Sequence, residues 1–507
     1  MAAQQKVMQM NNTDSHIEKT LEMMQQQIVS AKTDSEFYWY LEQLQQATDG
    51  DFIGPLFDQQ KIRFTSVSTD TRTLQAGALY IAIKGANFDG HAFIDEAIKQ
   101  GAVAILVSED VETIVPGVQV DDTRIALGQF ARWHRQQMPL KKLIAVTGSN
   151  GKTTVKTLLA DIFALNGNVL ATEGNLNNDF GVPRTLLNIR PEHDYAVIEM
   201  GANHLHEIGY LTALALPDIA LLNNASGAHL EGFGSLEGVI ETKGEIFDGL
   251  NANGANNGVA ISNTDSAGFD YWQNKIRNSG IAHNLTFGSN ERADIRLINC
   301  QTRSDTKLGL ELVLQFEEQG QRQNHQVIMP VLGEHNAMNA AACCAVALAA
   351  GLNWAQIKPA LETFSGVGGR LQQNRIASGW LLDDSYNANP ESVKAGIKAL
   401  TSLQGESVLC LGAMAEIGEQ SDSAHIEVAQ FAYRQGVSTL YVLGEKARVM
   451  TGAFQGEAMF FDDHQAMAVV LAAKIRQAAE QNNKLNVLVK GSRSARMEQV
   501  SQAVLQN

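Results

Sequence analysis

Three things are scarce in this chain, and each scarcity narrows its chemistry. Cysteine occurs four times in 507 residues, at 300, 343, 344 and 410. The adjacent pair cannot readily bridge and none has metal-ligand spacing, so reduced structural thiols are expected. Positive charge is also short: 39 lysines and arginines face 55 acids, a formal net charge of −16. That balance argues against a nucleic-acid partner and leaves any anionic ligand to local cations and helix N-termini. Long hydrophobic runs are missing. The longest, "AMNAAACCAVALAAGL" at 337–352, is short for a bilayer and rich in alanine, which predicts a buried core helix and no membrane span. Residues 1–35 lack the apolar segment of an export signal and are rich in glutamine. A disordered or loosely helical extension is expected there, on a cytoplasmic protein.

What is present suits an α/β protein of several units, since 507 residues with 44% hydrophobic content exceed one core. From 36 to 138, "ALYIAIKG" and "FIDEAIKQGAVAILVSED" alternate short strands and helices, which predicts a small first domain. From 139 to 364, "KLIAVTG", "DYAVIEMGA" and "PDIALLNNAS" are apolar runs separated by helical stretches, the pattern of a parallel sheet covered on both faces. The glycine-rich "SGVGGR" at 365–370 opens a third series, "GWLLDDSYNANP", "SVLCLGAMAE", "VSTLYVLGE" and "LNVLVKGS". It predicts a Rossmann-like domain over 365–507. In such folds ligands bind beyond the carboxyl ends of the strands, where the polar residues of this sequence gather.

One stretch carries chemistry by itself. In "LIAVTGSNGKTTVKTLLADIF", at 143–163, a buried strand ends in a glycine turn that opens a helix. Backbone N–H groups of Thr147, Gly148, Ser149, Asn150 and Gly151 then converge on one spot that attracts phosphate. Lys152 supplies a point charge for the β- and γ-phosphates, and Thr153, followed by Thr154, offers a hydroxyl to Mg2+. The form is the short T-G-x-x-G-K-T, since Val146 stands where a longer P-loop has its first glycine. ATP binding follows as the working premise.

Other residues gain weight beside that loop. Glu199 ends a predicted strand and can ligate a metal; a helix cap or a solvated acid is its plainer reading. His229 can ligate a second metal or be a hydrogen-bonded structural residue, and Lys243 lies within a helical pattern. Asn336 and Asn339 share one side of a helix start, where amides read a nucleoside or cap the helix. Arg370 follows two glycines, a place from which a guanidinium can reach phosphates. Asp384, Asn387, Asn389, Lys490, Ser492 and Arg493 end strands of the third series and suit an amino-acid or peptide site, although turn chemistry also explains the asparagines.

The segments "TGSNGKTT", "EMGANH", "HLEGFGS", "GEHNAMNAA", "GGRL" and "DDSYNANPES" resemble, in order and spacing, those of the Mur ligases, ATP-dependent enzymes that build the peptide of bacterial cell-wall precursors. The resemblance runs from about Phe37 onward. It implies a first domain that holds a UDP-sugar through Ser68, Asp70, Thr71, Arg72 and His91, with Asn175, Asn177 and Asn178 near the sugar or its peptide. It implies Glu199 and His229 as magnesium ligands, and Lys243 at the position that members often carbamylate with CO2. Asn336, Arg370 and Asp384 map to ATP contacts. Through "EGNLNNDFGVP" and "KGSRSARME" the chain is most similar to the member that joins D-alanyl-D-alanine to UDP-N-acetylmuramoyl-tripeptide, whose third residue is diaminopimelate or lysine, through an acyl phosphate. A monomer is expected. Ala413 stands where the family's G-D-M segment has aspartate. Rival readings are another amino-acid ligase of the family, a folylpolyglutamate-type enzyme, or a sensor of UDP-muramoyl peptides that joins nothing.

Overall fold

The computed structural model describes residues 37–55, 62–85, 88–227, 230–250, 257–304, 308–415 and 417–506. The extension 1–35 and His229 lie outside them. The chain divides into two units, one taking Asp179–Pro191 together with the residues up to Met138, the other Pro139–Asn178 and Glu192 onward.

In the first unit the apolar runs Ala78–Ile81 and Ala104–Val107 are fully buried strands. They lie within a five-stranded sheet ordered 51–53, 117–119, 104–107, 78–81, 66–68, parallel except for its first pair. Helix Thr123–Gln137 begins where the Asp122 carboxylate accepts from the backbone N–H of Arg124 and Ile125, a side-chain cap. It packs on helix Gly181–Leu186. His134 fastens this excursion: Trp39 Nε1 donates to His134 Nδ1 at 3.0 Å, and His134 Nε2 donates to Ile189 O at 2.9 Å. Residues 179–191 thus pack with the first unit, although they fall inside the range 139–364 read from sequence as one domain. Their apolar pattern marks them as core without saying which core.

The second unit holds two sheets. The larger has nine strands in the order 169–171, 195–199, 142–147, 219–222, 259–263, 283–288, 295–303, 309–318, 321–329. The run from 169–171 to 295–303 is parallel, as the apolar segments predict, but the last two strands turn back as an antiparallel meander. Sequence reading did not foresee it. Gln319 and Gly320 both have positive φ, 55° and 77°, the backbone of a two-residue hairpin turn. The alanine-rich tract forms helix Glu334–Ala349, buried without break from Asn339 to Ala347. Small side chains bring it close to helix Lys152–Ala164, where Cys343 Sγ donates to Val155 O at 3.6 Å. Among the described residues no helix is long and apolar enough to cross a membrane, and all four cysteines are free.

The smaller sheet has six strands, ordered 372–376, 379–384, 485–490, 406–412, 439–443, 457–461, parallel apart from the hairpin at its edge. Both sheets present polar residues at the carboxyl ends of their strands.

Candidate active site

Strand Lys142–Thr147 is buried to its end, and Gly151, at φ +81°, turns the chain into helix Lys152–Ala164. A Cβ on Gly151 would sit 2.5 Å from Asn339 Oδ1 and 2.6 Å from Asn223 Nδ2, so both backbone and space demand glycine. The turn is braced by residues that sequence reading passed over. Ser149 N donates to Asn224 O at 3.0 Å and Asn150 N to Asn224 Oδ1 at 2.9 Å. The amides of Asn223 and Asn224 both donate to Asn150 O at 3.0 Å, and Ser226 N to Ser149 Oγ at 2.9 Å. Their signal was "NNAS" directly after the apolar strand Ile219–Leu222. Asn339 accepts from Asn223 Nδ2 at 3.0 Å and donates to Asn336 Oδ1 at 3.1 Å, while Asn336 Nδ2 donates to Leu332 O at 2.8 Å. These two buried amides form a scaffold behind the loop. Thr147 Oγ1 donates to Met200 O at 2.8 Å, and Thr154 is buried.

Lys152 Nζ donates to Gly148 O at 2.7 Å. Burial lowers its pKa, Glu199 pulls the other way, and Arg370 lowers it further. Glu199 closes strand Tyr195–Glu199 and is 2% exposed. Its Oε1 accepts from Asn177 Nδ2 at 2.8 Å, while its buried Oε2 has no hydrogen-bond partner among the described residues. Lys243, in helix Leu236–Gly244, is 1% exposed; burial pushes its pKa well down and the charge of Lys152 adds to the effect. The two lysine side chains therefore share one field. Asn175 O accepts from Asn177 N at 2.7 Å, and Asn178 follows in the same loop.

The loops flanking the first two strands of the six-stranded sheet send two side chains onto the P-loop. Arg370 Nη2 donates to Thr153 Oγ1 at 3.0 Å, and Asn389 Nδ2 to Asn150 Oδ1 at 2.9 Å. Asn389 also caps helix Pro390–Thr401, accepting from Ser392 N at 2.8 Å, so its turn role and its reach coexist. Asp384 accepts from Lys490 Nζ at 2.5 Å and from Leu371 N at 3.2 Å, and thereby holds the turn that carries Arg370. Lys490 Nζ also donates to Asn387 O at 3.0 Å. The Tyr386 ring lies 4.3 Å from the Arg370 guanidinium and 5.8 Å from that of Arg493. Nearby a cleft of about 520 Å³ is lined by Asn387, Ser492, Arg493, Arg496 and Glu498, among others. Ser492 Oγ donates to Ala413 O at 2.7 Å, so Ala413 acts there through its carbonyl.

In the first unit Ser68 Oγ donates to Asp70 O at 2.9 Å, and the Asp70 carboxylate accepts from Arg72 N, Nε and Nη2 at 3.0, 3.0 and 2.6 Å. The Arg72 side chain and backbone bonds hold the Asp70 pKa down at about 2. Thr71 opens the short helical turn Thr71–Thr73. His91 Nδ1 donates to Asp89 Oδ1 at 2.7 Å, and its Nε2 accepts from Ser108 N at 3.0 Å. Tyr80, raised to about 12 by burial, also feels the charges of Asp70 and Asp89, which brings these two segments together.

The chain is 41% identical over 447 residues to the UDP-N-acetylmuramoyl-tripeptide--D-alanyl-D-alanine ligase of Escherichia coli K12, a match covering 88% of this chain and 95% of that relative. This chain belongs to the Mur ligase family. Its segments match the family's descriptions in order: the Mur ligase family catalytic domain over 63–135, the middle domain over 146–347 and the glutamate ligase domain over 369–493. Among solved structures it is similar to MurF from Acinetobacter baumannii, with a TM-score of 0.82 and 31% identity over 93% of this chain and 99% of that one. It is also similar to MurF ligase from Thermotoga maritima in complex with ADP, with a TM-score of 0.75 and 26% identity over 87% and 97%. As a Mur ligase it is a three-domain α/β protein, with a central P-loop domain, a small first domain and a Rossmann-like third. It is an ATP-dependent ligase.

Proposed function

We propose that this ligase joins D-alanyl-D-alanine to UDP-N-acetylmuramoyl-tripeptide, with ATP cleaved to ADP and phosphate, in the cytoplasmic synthesis of the peptidoglycan precursor. The observation that carries the reading is the Arg370 guanidinium on the Thr153 hydroxyl, with Arg370 and the Glu199 carboxylate both acting on Lys152 through space. It is supported by the likeness to ligases of that name. The functional domains of this reading are 36–138, 139–364 and 365–507, with 179–191 packed against the first.

A carboxylate and an amine do not condense in water because the carboxylate oxygen leaves poorly. Transfer of the γ-phosphoryl to the terminal carboxylate of the tripeptide breaks the phosphoanhydride bond and forms an acyl phosphate. Lys152 and Arg370 offset the charge on the moving phosphoryl. The phosphates fall to the other backbone N–H groups of the glycine turn, since those of Ser149 and Asn150, expected from sequence to join them, are taken by Asn224. The neutral dipeptide amine then attacks the acyl carbon, a proton is lost, and phosphate leaves.

The residues fit a divalent cation: Glu199 keeps a buried, unpartnered carboxylate oxygen and Thr153 adds a hydroxyl, with His229 in the same role by resemblance. Bound there, Mg2+ would draw charge from the β- and γ-phosphates. Lys243 fits carbamylation, since burial favours the neutral amine that attacks CO2, losing a proton and gaining an anionic carbamate. The UDP moiety is assigned to Ser68, Asp70, Thr71, Arg72 and His91, and the sugar or its peptide to Asn175, Asn177 and Asn178. The dipeptide is assigned to the cleft beside Asn387, Ser492 and Arg493, where Lys490 holds Asn387 by its carbonyl, while Asn389, expected from sequence at the same site, reaches Asn150 of the P-loop.

The test is product analysis with purified protein, ATP, Mg2+, UDP-muramoyl tripeptide and a panel of dipeptides. Phosphate release is expected only with both acceptor and donor present, together with a product carrying the added dipeptide. Phosphate release without a joined product would favour a sensor.

A further inference from the structure

Lys156 sits one helical turn beyond Lys152, is 8% exposed, and has no part in the reaction outlined above. Burying an ammonium is costly unless its charge and donors are used, and an apolar side chain would fill this place more cheaply. Among the described residues it makes one hydrogen bond, from Nζ to Thr172 O at 2.9 Å. Thr172, itself 1% exposed, accepts through Oγ1 from Glu199 N at 2.9 Å. Glu199 Oε1 accepts from Asn177 Nδ2 at 2.8 Å, and Asn177 O accepts from Gly201 N at 2.8 Å. The bonds form a circuit: the P-loop helix, the start of loop 172–178, the strand-end carboxylate, and the far end of the same loop. Between its anchored ends the loop is exposed at Glu173, Gly174 and Asn175 and braced by a turn bond from Leu176 N to Glu173 O at 3.1 Å. Burial lowers the Lys156 pKa, Glu199 and more weakly Glu173 pull it back up through space, and Arg370 opposes them.

We propose that Lys156 is a positioning residue that ties the acceptor loop 172–178 and the Glu199 carboxylate to the helix carrying Lys152 and Thr153. The loop then keeps its place relative to the nucleotide's phosphates, and one Glu199 oxygen is fixed so that the other stays free. The loop's contact with the UDP-linked acceptor rests on the function proposed above; the mechanical link does not.

Hydrogen exchange of the full-length chain without substrates tests the link. In Lys156→Met, amides of 173–178 are expected to exchange about tenfold faster, with the interior of helix Lys152–Ala164 unchanged. Lys156→Arg, which keeps the donors, is expected to recover much of the protection. In turnover, KM for the UDP-linked acceptor is expected to rise about fivefold in Lys156→Met while KM for ATP stays within about twofold. A general loosening of the fold would move both. Thr172→Val cuts the circuit at the next link; its effects are expected to add less than fully to those of Lys156→Met, and it is read in the same way should that variant fail to fold. Wild-type exchange across 173–178 in whichever variant folds would overturn the link. Faster exchange with an unchanged acceptor KM would uphold the link and count against the acceptor assignment alone.

Discussion

Lys243 is a lysine held where an ammonium is disfavoured, by burial first and by Lys152 second. Its replacement by alanine is expected to abolish ligation, with partial rescue by short carboxylic acids that restore an anion; full activity without rescue would refute the carbamate. His134 gives a residue-scale prediction of another kind. Burial lowers its pKa from 6.5 to about 4, with Arg190 adding to the effect and the bond to Ile189 opposing it. The unfolded chain therefore takes up this proton near pH 6.5 and the folded chain only near 4. The contribution is complete above the higher value, declines as pH falls between the two, and totals on the order of 3 kcal/mol. Urea midpoints of the wild type are expected to fall over that window more steeply than those of His134→Gln. At this scale the sequence singles out residues whose type names a chemistry, Lys152 and Thr153 at the start of a helix and Glu199 at a strand end. Asn223 and Asn224 went unnoticed because amides that brace a loop carry no spacing of their own, only a position after an apolar run.

The glycine turn joins residue to element. Gly151→Ala combines a left-handed backbone, costing about 1–2 kcal/mol, with a Cβ driven onto Asn339 and Asn223. ADP affinity by calorimetry is expected to drop at least about tenfold, since roughly 1.4 kcal/mol already corresponds to that factor. The strands and helices with strong periodicity were legible: the parallel run, the strand ending in the P-loop and the alanine-rich core helix. The meander at 309–329 was not, because its strands bury one face only and alternate polar with apolar residues, leaving Gln319-Gly320 as a weak turn signal. The edge strands Gln372–Ile376 and Glu457–Phe461 escaped for the same reason, being only partly buried.

Across the whole molecule, nucleotide binding and stability are linked. ADP at about one hundred times its Kd is expected to stabilise the second unit by about 2.7 kcal/mol, seen as a raised thermal midpoint. Lys152→Ala is expected to lose most of that shift while still binding the UDP-linked acceptor; an undiminished shift would move the nucleotide elsewhere. Domain order could be read from composition and strand pattern, but the return of 179–191 to the first unit could not, because long-range packing of a short helix leaves no local trace. That return bears on biosynthesis. His134 finds its acceptor on Ile189, so a ribosome must finish the glycine turn and its helix before the amino-terminal unit can close. A fragment cut at Met138 would leave one imidazole nitrogen and the face beneath Gly181–Leu186 uncovered, which makes it a poor candidate for independent expression.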